Sequence, residues 1–421
     1  MSFGTAAALA VLILTYSLMA VRSIRGHRVK IWMAAAAGGI LMLAVGALTP
    51  SEALEHIDFS VIFLLTGMMA LVASLEYCGF FEIVVNVLLK RYRGGGTFLK
   101  WIMVLSAGLS AVMLNDAVVL IFAPIVLRCC RILRSDPVPC LVGVFVSANI
   151  GSAATVVGNP QNALIASYAG LDFVEYSLWV IPLVVLCMAV AVYTVHRVYR
   201  SRLGDTDPSL PEETSEPRPV DRPRLIAVSA VAVTAFILFS VSGYTGIGIH
   251  VTALAAGAVS LLIVMTGGVK AGGFVAKRID WSVLMFFIGL FVVMGGAVES
   301  GLMDSVSGLF GADGTSAPSV GVLAVLATVL SNLVSNVPAV MLLSPFLSGG
   351  DAVIWTALAV FSTFAGNLTL IGAAANVIAA DEGEKYGVRL DFVRFLKVGI
   401  PVTVATVAIA TAYFHALQAF L

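Results

Sequence analysis

The sequence predicts an all-α polytopic membrane protein made of two inverted repeats. Each repeat holds five transmembrane helices and one re-entrant hairpin, with unwound helices at the membrane midplane. Three observations carry this. Of 421 residues, 60% are hydrophobic and 11% charged, where soluble domains hold about 45–50% and about 25%. Apolar runs recur at the ~20-residue length a helix needs to cross a bilayer, without the alternating polarity of a barrel. Polar, helix-breaking motifs interrupt those runs four times, at matched places in the two halves.

The composition excludes an ordinary soluble enzyme and a disordered chain, which would be polar and highly charged. Lys+Arg and Asp+Glu are 24 each, so no basic excess points to nucleic acid. Cys78, Cys129, Cys130, Cys140 and Cys187 form no CxxC pair, and the five His form no cluster. No metal site, cofactor or catalytic residue is expected. No GxxxxGK[ST] loop occurs, so direct use of ATP is not expected. The N-terminal apolar run lacks a charged leader and reads as a retained helix, not a signal peptide.

Ten spans fit the hydropathy: 3–21, 31–49, 57–77, 140–169, 176–196, 225–242, 249–266, 280–300, 352–380 and 398–420. The segments 98–128 and 318–348 are too long for one plain helix, and polar residues break each in its middle. Arg22, Arg25, Arg28 and Lys30 mark a basic loop, which the positive-inside rule places in the cytoplasm. Lys90, Arg91 and Arg93 then also fall inside, and so do Lys100, Arg128, Arg131 and Arg134. The first broken segment thus has both ends inside and reads as a hairpin. No Lys or Arg occurs between Asp280 and Glu384. The second hairpin, flanked by Asp304, Asp313 and Asp351, therefore enters from outside. Both termini come out external, in a multi-pass protein of the cell's inner membrane. Phe80, Phe81, Val84, Val85 and Leu88, with Glu82 and Lys90, predict an amphipathic helix on the cytoplasmic surface.

The halves match in order. Ile57-Asp58-Phe59-Ser60-Val61 answers Ile279-Asp280-Trp281-Ser282-Val283, and Asn115 with Pro124 answers Asn336 with Pro345. Thr155, Gly158 and Asn162 answer Thr369, Gly372 and Asn376. An odd number of spans turns the second copy upside down, the architecture of many secondary transporters. The expected units are 1–200 as the first repeat, a Pro-rich cytoplasmic linker at 201–223, and 224–421 as the second repeat.

Irregular backbone survives at membrane depth only when buried in protein or lining a wet cavity. Here it occurs at the tips Leu114-Asn115-Asp116 and Ser335-Asn336-Val337-Pro338, and within 149–162 and 366–376. Asn, Asp and Ser are the preferred N-caps, and Pro160 suits the first position of a new helix. Each break thus reads as the start of a half-helix whose free N–H groups point at a central cavity and favour an anion or an oxygen-rich neutral solute. The candidate binding residues are Asn115, Asp116, Ser152, Thr155, Asn159, Asn162, Ser335, Asn336, Asn367, Thr369 and Asn376. Asp116 is the acidic residue at a deep tip. Burial favours the uncharged form of a carboxyl, which suits a coupling proton; the alternative is a cap on the half-helix that follows. Its repeat partner is Val337.

These motifs resemble the ion transporter superfamily, in particular its branch of arsenite permeases, P proteins and NhaD-type sodium/proton antiporters. The resemblance runs over most of the chain and rests on Asn115-Asp116 with Pro124-Ile125-Val126, Asn149-Ile150-Gly151 to Asn162, Ser331 to Pro338, and Gly366 to Gly372. It implies a scaffold and an elevator-type transport domain, a homodimer, and room for a separate ATPase subunit. The function expected is secondary active transport, with proton-coupled efflux of arsenite, antimonite or a similar small inorganic solute placed first. A Na+/H+ antiporter and a Na+-coupled citrate, dicarboxylate or other anion symporter are the alternatives. The coupling ion is H+ or Na+.

Overall fold

The computed structural model describes residues 3–21, 23–24, 27–28, 30–90, 94–203, 220–302, 318–347 and 350–420. Arg22, Arg25, Arg91, Arg93, Asp304, Asp313 and the part of the linker at 204–219 lie outside them. The first repeat holds α1 (Phe3–Val21), α2 (Ile31–Ala44), α3 (Pro50–His56), α4 (Phe59–Tyr77), α5 (Phe80–Lys90), α6 (Gly95–Val112), α7 (Asn115–Ile132), α8 (Pro137–Ser152), α9 (Pro160–Ala169) and α10 (Phe173–Val198). The second holds α11 (Arg222–Ser240), the one-turn α12 (Ser242–Thr245), α13 (Ile249–Met265), α14 (Val269–Arg278), α15 (Trp281–Glu299), α16 (Val320–Val334), α17 (Asn336–Leu343), α18 (Ala352–Ala365), α19 (Ala374–Lys385) and α20 (Phe392–Phe420). A two-residue antiparallel ribbon, Ser23–Ile24 with His27–Arg28, is the one extended pair among the described residues.

Local chemistry sets the ends of these helices. Asp58 and Asp280, repeat partners, cap α4 and α15 through their carboxylates. Asp172 does the same for α10 and Asp351 for α18. Thr49 and Glu52 form a reciprocal capping box at α3, and the Thr49 N–H and hydroxyl hold the Glu52 carboxyl below its ordinary range. Two expected boundaries shift for such reasons. The span expected over 31–49 stops at Ala44, because Gly46 takes a left-handed φ of 72°. Its 14 residues rise about 21 Å, short of the ~30 Å hydrocarbon core, and α3 continues the chain. The linker expected over 201–223 ends earlier: Asp221 caps α11 and Pro223 sits in its first turn.

Helix directions establish the inversion. Gly289 packs on Ala35, Gly39 on the Gly289 carbonyl and Gly296 on Met42. Contacts that advance together along both chains make α2 and α15 parallel. Consecutive spans α2 and α4 are antiparallel, so α15 runs opposite to its own repeat partner α4. The reciprocal crossing is α4 on α13, where Gly67 meets Ala253 and Gly257 meets the Gly67 backbone. A Cβ on Gly67 would lie 2.2 Å from the Ala253 carbonyl oxygen, and one on Gly289 2.5 Å from the Ala35 carbonyl carbon. Such small-residue crossings let membrane helices approach closely. These four helices, with α1 and α11, form one sub-bundle.

The hairpins and broken helices form the other. Leu99 and Met103 on α6 face Gly143 and Ala107 faces Gly151, so α6 runs parallel to α8. Asn115 meets Asn149 and Cys130 meets Cys140, so α7 runs antiparallel to α8. Hence α6 and α7 form a hairpin, turning at Met113–Leu114, both in extended backbone. At the other tip, Ser335 separates α16 from α17 with a φ of 85°, a conformation that costs a non-glycine residue about 1–3 kcal/mol. The amphipathic α5 buries Phe81, Val84, Val85 and Leu88 as expected, and Arg128 of α7 pairs with Glu82 at 3.0 Å.

The two ends of the bundle differ in charge. One, the basic face, carries Lys90, Arg128, Arg278 and Lys385. The other, the acidic face, carries Glu52, Glu55, Asp58, Glu299 and Asp351. Equivalent ion pairs stand at the two ends, Glu76–Arg278 on the basic face and His56–Glu299 at 2.9 Å on the acidic one.

Candidate binding site at the two breaks

Residues 153–159 interrupt α8 and α9, and residues 366–373 interrupt α18 and α19. In each break one asparagine closes the loop on itself. Asn162 donates to the carbonyls of Ser152 (3.2 Å) and Thr155 (3.0 Å). Asn376 donates to those of Gly366 (2.7 Å) and Thr369 (2.9 Å). The residues correspond one to one between repeats. The hydroxyls of Thr155 and Thr369 tie each break to its own hairpin, Thr155 to the Ala111 carbonyl (2.6 Å) and Thr369 to Asn332 Oδ1 (3.1 Å). The breaks are therefore built loops, with backbone polar groups satisfied as burial demands.

The two loops are then knotted to each other. Asn149 of α8 donates to Asn367 Oδ1 (2.9 Å) and Asn376 Oδ1 (2.8 Å), and accepts from Asn115 at 3.3 Å. Thr363 of α18, its repeat partner, donates to Asn162 Oδ1 at 3.3 Å and accepts from Asn159 and Gln161 at 3.2 Å each. Ser152 accepts from Asn159 Nδ2 at 3.1 Å. Asn149, Asn159, Asn162, Asn367 and Asn376 are each at most 1% exposed. The knot is thus packed amide, not an open pocket, which changes the expected picture of four N-termini facing one hollow.

The tips seat on the breaks at two equivalent places. Asn115 donates its backbone N–H to the Gly158 carbonyl at 2.9 Å. With its amide turned to satisfy both ends, Asn336 donates to the carbonyls of Ser362 and Gly372 and accepts from Gln161 Nε2, each at 3.2 Å. Across the other seam, the Asp116 carboxyl faces the backbone N–H of Ala375. Gln161 and Ala375 are repeat partners, so the same junction is filled by an amide pair on one side and by a carboxyl with bare backbone on the other. Asp280, the cap of α15, is the charged group whose field also bears on Asp116. Asp116 does not cap its own helix; the Asn115 side chain accepts the Asp116 N–H at 2.9 Å.

Helix capping differs in the same sense. Asn159 caps α9 by accepting the Asn162 N–H at 2.8 Å. Its repeat partner Ala373 gives α19 no side-chain cap. Break 1 is buried throughout, whereas in break 2 Thr369 is half-buried and Ile371 exposed, as is Ala374 at the start of α19. Ser335 and Asp116 are half-buried beside them.

Two vestibules open on the two faces of the bundle. That of the basic face, about 770 Å³, is lined by Glu76, Leu120, Pro124, Arg128, Arg278 and Lys385 among others. A further ~20 Å³ space reaches Ala117, next to Asp116. That of the acidic face, about 830 Å³, is lined by His56, Asp58, Tyr168, Met341, Pro345 and Trp355 among others. Pro124 and Pro345 are repeat partners, so the vestibules are related by the same inversion.

The structure gathers Asn115, Ser152, Asn159, Asn162, Asn336, Asn367 and Asn376 into the knot and its tips, with Thr155 and Thr369 as ties. Asp116 lies at the seam with α19, and Ser335 is the half-buried turn of the second tip. Sequence reasoning missed Asn149, Gln161, Asn332 and Thr363 as members of the knot. A signal existed: an amide inside an apolar helix needs a partner, and Asn149 and Asn332 both interrupt such runs.

Comparison with known proteins agrees with this architecture. A family model described as citrate transporter matches residues 10–357. The chain is 30% identical to the 46 kDa membrane protein of Mycobacterium leprae, over 96% of this chain and 97% of that one. It is 25% identical to the silicon efflux transporter LSI3 of Oryza sativa, over 88% and 90%. The crystal structure of the Alcanivorax borkumensis YdaH transporter shares the fold, with a TM-score of 0.54 at 16% identity, covering 100% of this chain and 99% of that one.

Proposed function

The chain belongs to the citrate transporter family, and on that premise we propose that it exports a small hydroxylated inorganic solute, arsenite or antimonite, in exchange for protons. That it is a membrane transporter of this family, and not an enzyme, follows from the match itself. In this reading the basic face is cytoplasmic and both termini are external.

One observation carries the reading: the Asp116 carboxyl faces the N-terminus of α19, which has no cap of its own. A helix N-terminus attracts an anion or a lone-pair oxygen. While Asp116 is ionised, its carboxylate occupies the Ala375 N–H. Its free lone pairs accept a hydroxyl hydrogen of the solute, and a proton on Asp116 takes that position and turns the solute out. Proton and solute thus compete for one carboxyl, as exchange requires. The uncharged trihydroxide needs no cationic side chain, and none occurs within 110–118, 149–162, 331–338 or 366–376. The rice relative, named for silicon efflux, gives a second small inorganic solute within the same similarity.

The family description favours a second reading, a citrate or other anion symporter. Uptake into everted vesicles under an imposed pH gradient separates them. Arsenite accumulation driven by interior acidity supports the first reading. Citrate uptake with no arsenite uptake overturns it.

A further inference from the structure

Beside the tip of the first hairpin lies a third cavity, of about 460 Å³, unlike either vestibule. One wall is α4 at Leu71, Val72 and Leu75, another is the tip at Val112 and Met113, and the third is α11 from Ser229 to Ser240. No ionisable side chain lines it. Ser240 gives its hydroxyl to the Phe236 carbonyl within its own helix, at 2.9 Å. At one end stands Phe80, at the start of the surface-lying α5. At the other, Phe236 packs against Phe173 and Phe239, with ring centroids 6.3 and 5.4 Å away. The mouth opens outward between residues such as Val233 and Ile237, 60% and 58% exposed. The α11 helix is the least buried of the six long apolar helices, at 22%, so this mouth faces the surrounding bilayer and not another helix.

We infer that this crevice binds one acyl chain of a phospholipid from the leaflet on the basic face. An apolar void of this size at membrane depth forfeits dispersion contacts along its whole lining, and water has no polar partners there to repay its entry. The material present in bulk at that depth is the hydrocarbon of the bilayer itself. The volume falls within the usual range of small-molecule sites. Phe80 fixes the direction of entry: a headgroup at the level of α5 sends its chain past Leu75 and Met113 toward Phe236. Met113 is 6% exposed and Val112 38%, so Met113 is the tip residue that a lipid reaches through the crevice. The chain thereby becomes part of the surface on which the first hairpin is seated. This inference is independent of the transported solute.

The test uses the full-length protein in vesicles of phosphatidylethanolamine and phosphatidylglycerol, doped with a phospholipid that carries a diazirine at mid-chain. After illumination and digestion, adducts are expected on the peptides bearing Val112–Met113 and 229–240, as well as at Val185, a freely exposed control (64%). Ala232→Trp fills the crevice, and adducts at Met113 should fall at least five-fold while those at Val185 persist. Ser229→Leu, a smaller change that decides the matter should the tryptophan variant fail to fold, should give a partial loss. Absence of label at Met113 in the unaltered protein while Val185 is labelled overturns the inference. So does labelling that both variants leave unchanged.

Discussion

The seam between the second hairpin and α9 and the seam between the first hairpin and α19 occupy equivalent places, yet they are built from different chemistry. In the first, Asn336 and Gln161 join as neutral amides, 7% and 3% exposed, and Asn159 caps α9 from within its own loop. In the second, Asn-Pro-Gln-Asn is replaced by Ala373-Ala374-Ala375-Asn376, and the carboxyl of Asp116 stands where the amide would be. A neutral amide pair has no proton to exchange and stays closed. A carboxyl against bare backbone N–H groups has two states that differ by one charge. The two like junctions of the repeats thus differ: one is filled by a neutral amide pair, and the other, in the function proposed above, is the one that switches.

Six substitutions break or sharpen this contrast. The largest effect is expected from Asp116→Asn, which keeps the shape of the side chain and removes the exchangeable proton. Proton-driven uptake into everted vesicles should fall at least ten-fold while the thermal midpoint in detergent moves little. Full arsenite resistance conferred by that variant on a sensitive host would rule out the role given to Asp116.

Next comes Asn149→Ala in the common knot. It strands Asn115, Asn367 and Asn376, and each buried polar group left unpaired costs about 1–3 kcal/mol. The variant should lose several kcal/mol of stability, read as a drop in thermal midpoint and in yield of monodisperse protein.

The cap asymmetry gives a smaller, two-sided test. Asn159→Ala should destabilise break 1 by about 1 kcal/mol or somewhat more, whereas Ala373→Ser should add a cap to break 2 worth about 1 kcal/mol. A raised midpoint with slowed transport is expected for Ala373→Ser, because the new hydroxyl competes for the N–H groups that Asp116 faces. Unchanged transport in the stabilised variant would separate the α19 N-terminus from function.

The smallest effects belong to the ion pairs at the two ends. His56→Gln and Arg278→Gln each remove one partner of a partly exposed pair, worth about 0–1 kcal/mol. Urea or thermal melts should barely distinguish them from the parent, and a loss of several kcal/mol would show that these pairs clamp the crossings of α3 with α15 and of α4 with α14.

Much of the fold was legible before any coordinates. The repeat was visible because Asp58 and Asp280 must cap equivalent helices and because Asn162 and Asn376 must close equivalent loops, so the residues recur with the task. The hairpins were visible through charge, since Lys100 and Arg128 stand at the same end of the bundle. What stayed hidden was partnership across the two repeats. Asn149 reads as one amide in an apolar helix until Asn367 and Asn376, more than 200 residues away, arrive beside it.

By itself the sequence determined which segments are apolar enough to enter the lipid, which residues cap the repeated helices, and that the second copy lies inverted, because hydropathy, capping and charge act over a few residues and need no knowledge of the rest. Only the tertiary structure decided that the amides close into a buried knot, and that Asp116 answers for the cap that Ala373 lacks. Those are agreements between distant stretches of chain. They become fixed when the Gly67 and Gly289 crossings and the packed hairpins bring both repeats within hydrogen-bonding reach.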